Sequence, residues 1–295
     1  MSALSEGPID PVRPYFRERL RHLYKNFPLA MAGQEEPVHQ VRVASRRLRV
    51  LVPIVARKPQ GRKVRRTLGR LRDLARAAGR ARDMDVIAAL FDQHAAAFGQ
   101  GSGAGLALRR RLADARRRAH ARTTEDLLDF EVPRLRRDLA RISGRGLADL
   151  FTAAARLHEI RATEGRDLLQ ELESLGTRFE PVALHEVRAR VRRLRYAAEI
   201  SSALVDSPAE TARRFKQTQE ILGEVHDAWI LAEWLGAQAS AAAARERVAE
   251  ADEAAHRRAY FEDLARVLHG KFLESNPSDR LRRALAGIGR RASVA

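Results

Sequence analysis

The segment His39-Gln-Val-Arg42-Val-Ala-Ser-Arg46-Arg47-Leu48-Arg49 holds residue types at a spacing that could do chemistry. On a helix turning about 100° per residue, His39, Arg42, Arg46 and Arg49 fall within an arc of about 80°. Val41, Ala44, Leu48, Val52 and Val55 fall on the opposite side, so the helix has a packing face and a cationic face. A guanidinium bonds two phosphate oxygens at once and stays charged, and an imidazole donates or accepts near neutral pH. Like charges three and four residues apart repel by a few tenths (~0.3) of a kcal/mol per pair. No acid lies between His39 and Arg49, which points to a countercharge from outside the chain. Successive stripe residues rise about 5–6 Å along the axis, so a linear chain of phosphates would meet a cation at each turn.

The segment occurs twice. His185-Glu-Val-Arg188-Ala-Arg-Val-Arg192-Arg193-Leu194-Arg195 lies 146 residues further on and is identical at seven of eleven positions. Here Glu186 is off the stripe and Glu199 is one turn beyond it. Val187, Leu194 and Ala198 repeat the apolar face. A second pair follows each copy, Gly79-Arg-Ala-Arg82-Asp83 and Gly223-Glu-Val-His226-Asp227, 144 residues apart. The same offset sets Arg72 against Lys216 and Arg82 against His226, which keeps basic character while changing residue type. Two matches in one order imply duplication of a unit of about 146 residues, with halves 1–145 and 146–295. The binding set expected is therefore His39, Arg42, Arg46, Arg47, Arg49, Arg72, Arg82, His185, Arg188, Arg192, Arg193, Arg195, Lys216 and His226. Asp83 and Asp227 are expected to cap a helix or pair with a nearby Arg, and the sharper role would be to orient a phosphate-binding side chain.

The elements that position these residues read as helix almost throughout. Ala, Leu, Arg and Glu dominate, apolar residues recur at three and four, and no period-two strand stands out, so the fold class is all-α. Breaks are expected near Pro28–Pro37, Pro59–Gly61, Gly79, Ser143–Gly146, Leu175–Pro181, Asp206–Pro208, Gly223, Gly236 and Asn276–Pro277. Gly99 to Gly105 reads as a flexible connector, and Pro53 as the end or kink of a helix. The basic stretches around Arg109–Arg122 and His256–Lys271 do not register against each other and stay outside the expected site.

Composition narrows the function. The chain has 295 residues, 55 basic and 38 acidic, for a net charge of +17, and only five of the basic residues are lysine. Such an excess calls for an anionic partner. A codon bias would explain Arg over Lys but not the missing acids. At 45% hydrophobic the chain can bury a core. It has no cysteine, which excludes disulfides, thiolate metal sites and a cysteine nucleophile. The longest apolar run, Val50 to Ala56, is far short of the roughly 20 residues of a membrane helix. Met1 to Arg13 shows no secretion signal, so a cytoplasmic protein with no membrane partner is expected. Aromatic residues are only 5%, few for base stacking. Nucleic-acid binding is the alternative reading, weakened by the absence of a recognisable DNA-binding module. A phosphoryl-transfer enzyme using His39 or His185 is a third, but there is no Walker loop. Asp83 and Asp85 are too few for a magnesium site. No metal or cofactor is expected.

At these residues the sequence resembles the CHAD family of α-helical, histidine-containing domains. The resemblance rests on the two His-x-x-Arg-x-x-x-Arg-Arg-Leu-Arg segments, on Gly-x-x-Arg-Asp-Met-Asp-Val at 79–86, and on Leu-Gly-Glu-Val-His-Asp at 222–227, and runs from about Pro11 to Asn276. It implies two helical bundles related by pseudo-twofold symmetry, together one CHAD domain, with basic faces turned to a shared groove or pore. It also implies non-catalytic binding of inorganic polyphosphate, often on polyphosphate granules. Some relatives join triphosphate tunnel enzymes. Their Glu-x-Glu-x-Lys signature is not matched here, the nearest run being Glu171-Leu-Glu173-Ser-Leu175, so a stand-alone protein is expected. Val50 against Tyr196, and Arg82 against His226, mark places where the halves would contribute unequally.

Overall fold

The computed structural model describes residues 10–98 and 103–290. Within them the chain is helical: α1 (Val12–Met31), α2 (Glu35–Val55), α3 (Arg62–Ala77), α4 (Gly79–Gln93), α5 (Gly103–Leu128), α6 (Val132–Ser143), α7 (Leu150–Leu175), α8 (Pro181–Val205), α9 (Ala209–Ala243), α10 (Val248–Glu274) and α11 (Pro277–Gly287). Among the described residues no strand forms. One isolated antiparallel bridge joins Ala56 to Leu147. No helix among them is long and apolar enough to cross a membrane.

Most expected breaks coincide with helix boundaries, and two do not. The α1–α2 break falls after Met31, within the expected Pro28–Pro37 stretch, with Pro28 itself inside α1. Gly223 and Gly236 lie inside α9, which runs unbroken for 35 residues. Both glycines serve close approach instead. A Cβ at Gly223 would stand 3.6 Å from the Arg188 guanidinium, and one at Gly236 would stand 3.2 Å from Cδ of Arg258 in α10. Of the expected connector, residues 99–102 lie outside the described residues, while Gly103 to Gly105 open α5. Pro53 sits in the last turn of α2.

The helices of the second half follow those of the first in the same order, except that the break at Ala78 between α3 and α4 has no counterpart in α9. α1 packs on α2 as α7 packs on α8. α6 packs on α3 as α11 packs on α9. Across the halves α2 meets α8, α4 meets α9, and α5 meets α10. The cores do not divide at the midpoint. The larger holds Phe16, Leu48 and Leu71 together with Leu168, Leu194 and Phe215. The smaller joins Ile87 and Phe91 of α4, Leu108 and Leu112 of α5, Leu231 and Leu235 of α9, and Phe261 of α10.

α2 is the most enclosed helix of the first half. Val41, Ala44, Leu48, Val52 and Val55 are all buried, as the wheel predicts, and so are Val38, Leu51 and Ile54. Its last turn is fixed from α7, where Arg156 donates to the carbonyls of Pro53, Ile54 and Ala56 at 3.3, 2.8 and 2.5 Å. Ala148 N–H donates to Val55 O at 2.8 Å. This clamps free carbonyls at the helix end and holds the cationic face of α2 towards that of α8. On α8, Val187, Leu194 and Ala198 are buried beneath the second stripe.

Candidate functional site

The facing stripes of α2 and α8 form a seam. At one end it opens into a cleft of about 670 Å3 between α2, α3, α7 and α8, lined by Arg46, Arg49, Arg72, Arg192 and Arg193. Glu164, Glu171 and Glu186 line it too. Along the seam the cations feel one another. Burial, then Arg42 and Arg192, push the Arg46 guanidinium down to about 9. Burial, then Arg188, push Arg192 down to about 10. Burial lowers Arg49 as well, with Arg72 and Arg193 adding repulsion.

At the other end both halves build the same arrangement. Arg42 lies against Gly79, donating to its carbonyl at 3.2 Å and to Asp83 Oδ1 at 2.9 Å. Arg188 lies against Gly223, with Asp227 Oδ1 at 3.9 Å. In each copy the missing side chain at glycine leaves room for a guanidinium to lie on the helix backbone. The aspartates thus pair with an arginine, and that arginine belongs to the stripe, so pairing and orientation are one contact. The Nε atoms of Arg42 and Arg188 remain buried without a partner, as does Nδ1 of His39.

The histidines gather here. The rings of His185 and His226 lie 4.5 Å apart, with their Nδ1 atoms 3.3 Å apart, so only one of those two nitrogens can carry the proton between them. Burial and then Arg188 hold His226 down to about 3. Burial first, then Arg188, lowers His185. Burial first, then Arg82, lowers His39. All three imidazoles are neutral at pH 7, kept so by low dielectric and surrounding cations.

The fourteen expected residues separate into two groups. Arg46, Arg49, Arg72, Arg82 and Arg192 form no ion pair and no hydrogen bond among the described residues. In the other group Arg42, Arg47, Arg188, Arg193, Arg195 and Lys216 meet acids, while His185 and His226 meet each other and His39 has no hydrogen bond or ion pair among the described residues. Glu199 of α8 accepts from Arg47 of α2 at 3.0 Å and lies 3.4 Å from Arg195. Both guanidiniums also stand over the Tyr196 ring, at 5.6 and 4.7 Å. Glu164 of α7 pairs with Arg193 at 2.7 Å. Lys216 is 60% exposed, pairs with Glu220 at 3.4 Å, and does not line the cleft. The compensation that looked absent arrives from neighbouring helices for Arg47 and Arg193, and from one turn further along the same helix for Arg195 and Lys216. It covers Arg195 and Lys216 in the second half and leaves their counterparts Arg49 and Arg72 free.

Tyr196, Glu199 and Glu164 belong to the site without having been expected there. The sequence signalled only Tyr196, through its mismatch with Val50. Asp83 and Asp85, two residues apart, go separate ways. Asp85 is held with Arg116 of α5 at 2.6 Å and with His120 at 2.8 Å. Its carboxyl, though half-buried, is drawn below the ordinary range by hydrogen bonds from His120 and Arg116. Glu35, Asp85 and His120 place ligating atoms within 4.8 Å of one another, but Arg116 donates to both carboxylates and already supplies the positive charge.

Comparison with known proteins adds the following. A family model described as the CHAD domain matches residues 14–236. Uncharacterized protein MT2285 of Mycobacterium tuberculosis (strain CDC 1551 / Oshkosh) is 27% identical over 248 residues, 80% of this chain and 47% of that protein. The chain spans about half the length of this curated relative. The crystal structure of the CHAD domain from the plant Ricinus communis superposes with a TM-score of 0.61 at 20% identity, covering 94% of this chain and 91% of that one. PptA from Streptomyces chartreusis superposes with a TM-score of 0.61 at 19% identity, covering 94% and 96%. At these identities the structural likeness is one of fold.

Proposed function

Because the chain belongs to the CHAD domain family, we propose that its α2–α8 seam binds inorganic polyphosphate without catalysis and directs the protein to polyphosphate granules. The observation that carries this reading is the set Arg46 and Arg192, half-buried, with Arg49, Arg72 and Arg82, exposed, none of which has an ion pair among the described residues. Arg46 and Arg192 stand at the middle of it, where burial first and neighbouring arginines second push their guanidiniums down. A polyphosphate chain supplies one negative charge per repeating unit and needs no base recognition, which suits a seam with few exposed aromatic faces. The binding role is supported further by where the acids go. Asp83, Asp227 and Glu199 each lie against an arginine, which keeps them engaged with the cations of the seam. The repeated order of the helices and the paired Arg42–Asp83 and Arg188–Asp227 contacts support an origin of the two halves by duplication.

The test replaces Arg46 and Arg192 together by Ala. Each charge-assisted contact to phosphate contributes about 1.5–3 kcal/mol, so affinity for long-chain polyphosphate falls by about 100-fold or more. Calorimetric titration at about 0.15 M salt, beside a duplex DNA control, reads this directly. Unchanged affinity in a folded double variant removes the seam from the site. Equal affinity of the native protein for DNA turns it into a general polyanion surface. Orthophosphate release that depends on His39 or His185 ends the non-catalytic reading.

A further inference from the structure

A second basic cleft lies away from the seam, where the α2–α3 turn meets the α6–α7 linker. It encloses about 890 Å3. Arg57, Lys58, Arg62, Lys63 and Arg145 line it. All five are exposed, and none forms an ion pair or side-chain hydrogen bond among the described residues. One acid is present, Asp138, and it is already saturated. It is buried, with Arg66 at 3.4 Å, Arg141 at 3.5 Å and Arg70 closer still. The floor is aliphatic, from Ala56, Val64 and Ile142, all buried.

The corresponding place in the second half shows that the repeat does not require this charge. The turn after α8 reads Asp206, Ser207, Pro208, Ala209, Glu210, with no cation before Arg213. It is closed over by hydrogen bonds, Ser201 Oγ to Ser207 Oγ at 2.6 Å and Gly289 N–H to Ser201 Oγ at 2.8 Å. A bias towards arginine codons would have acted on both turns. The first turn gathers four unpaired cations around an open cavity, two of them among the five lysines of the chain, and Arg145 of the α6–α7 linker adds a fifth.

We infer that this cleft is a second phosphate site, taking a short oligophosphate or the end of a longer phosphate chain. The ligand chemistry rests on the reading of the seam given above, while the cleft itself stands on its own residues. Five cations around an aliphatic floor favour a compact, multiply charged anion over a base or a sugar. The two clefts share α3. Leu68 and Arg72 line the first, and Arg62 and Val64 line the second. Arg62 and Arg72 are about 15 Å apart along the helix axis.

The experiment titrates inorganic triphosphate, and separately long-chain polyphosphate, into three proteins at about 0.15 M salt. They are the native chain, a second-cleft variant carrying Arg57→Gln, Lys58→Gln, Arg62→Gln and Arg145→Gln, and the seam variant carrying Arg46→Ala and Arg192→Ala. The native chain is expected to take two triphosphates, and each variant one. If the second cleft holds the end of a chain seated in the first, its variant also weakens long-chain binding about tenfold and lowers the magnitude of the salt slope by about 2–3. If it holds a separate oligophosphate, long-chain affinity stays and only triphosphate stoichiometry falls. A second-cleft variant that binds triphosphate with native stoichiometry and affinity overturns the inference, as does a native chain that binds none. A seam variant that keeps long-chain affinity refutes the seam and leaves the second-cleft comparison readable. Lysine in place of Arg57, Arg62 and Arg145 keeps the charge, and is expected to keep the second triphosphate.

Discussion

Replacing Arg46 and Arg192 by Ala should stabilise the protein in the absence of ligand while weakening its binding of long-chain polyphosphate. Burial and neighbouring cations push the two guanidiniums down to about 9 and about 10, well below the ordinary arginine range. A base whose titration is pushed down in the folded state destabilises that state at every pH below the lowered value, so at pH 7 the cost is fully present. At about 1.4 kcal/mol per pH unit each displacement corresponds to a few kcal/mol. Both side chains are half-buried, and water screens part of this, leaving about 1 kcal/mol each. Loss of the aliphatic stems returns about 0.5 kcal/mol. The net gain is about 1–2 kcal/mol. For a chain of this length 1 kcal/mol moves the midpoint by about 1.5 °C, so Tm should rise by about 2–3 °C. Polyphosphate at about 100 times Kd adds about 2.7 kcal/mol to the native protein alone, and the order of the two midpoints inverts. Thermal unfolding followed by circular dichroism, with and without polyphosphate, reads both values. A ligand-free double variant that keeps its helicity and melts several degrees lower would refute the repulsion on which the site rests.

Stability of the ligand-free protein should fall as pH drops from about 6.5 towards 3, because the unfolded chain takes up a proton that His226 refuses in the fold. Urea unfolding at pH 7 and 4.5 checks this, with His226→Gln expected to lose less. Phosphate in the seam favours protonated imidazole, so binding should take up protons below about pH 6.5, seen as a buffer-dependent calorimetric enthalpy. Asp83→Asn should raise polyphosphate affinity about threefold and cost under about 1 kcal/mol of stability, since Asp83 is 64% exposed and Arg42 keeps its bond to Gly79. Lower affinity on titration would mean that Asp83 is needed to aim Arg42. Gly165→Ala should destabilise by about 1–3 kcal/mol, because its Cβ would stand 2.6 Å from Cδ2 of Leu285 and force α11 off α7. A neutral result in denaturant unfolding would show that Leu285 can turn away.

Much of this architecture was legible along the chain, because it is local. The spacing of Val41, Leu48 and Val52 marks the buried side of α2, and the copy at Val187 and Leu194 marks that of α8. The stripes were legible for the same reason. What crosses between helices was not. Glu199 neutralises Arg47 from 152 residues away, and no helical wheel contains that contact. Lys216 is a different case, since it pairs with Glu220 one turn on in its own helix, a contact that the sequence does contain. Gly223 read as a break because the guanidinium that fills its missing side chain comes from α8.

The shared apolar cluster of α4, α5, α9 and α10 has a consequence for the seam at a distance. Two cationic helices in contact would relieve their repulsion by drifting apart. Here they cannot, because their own halves are fastened to each other elsewhere, through Phe91, Leu108, Leu231 and Phe261. The cost of crowding the charges is met once, when the chain folds. The arginines therefore wait in a preorganised array, and a phosphate chain that arrives has little conformational entropy left to remove.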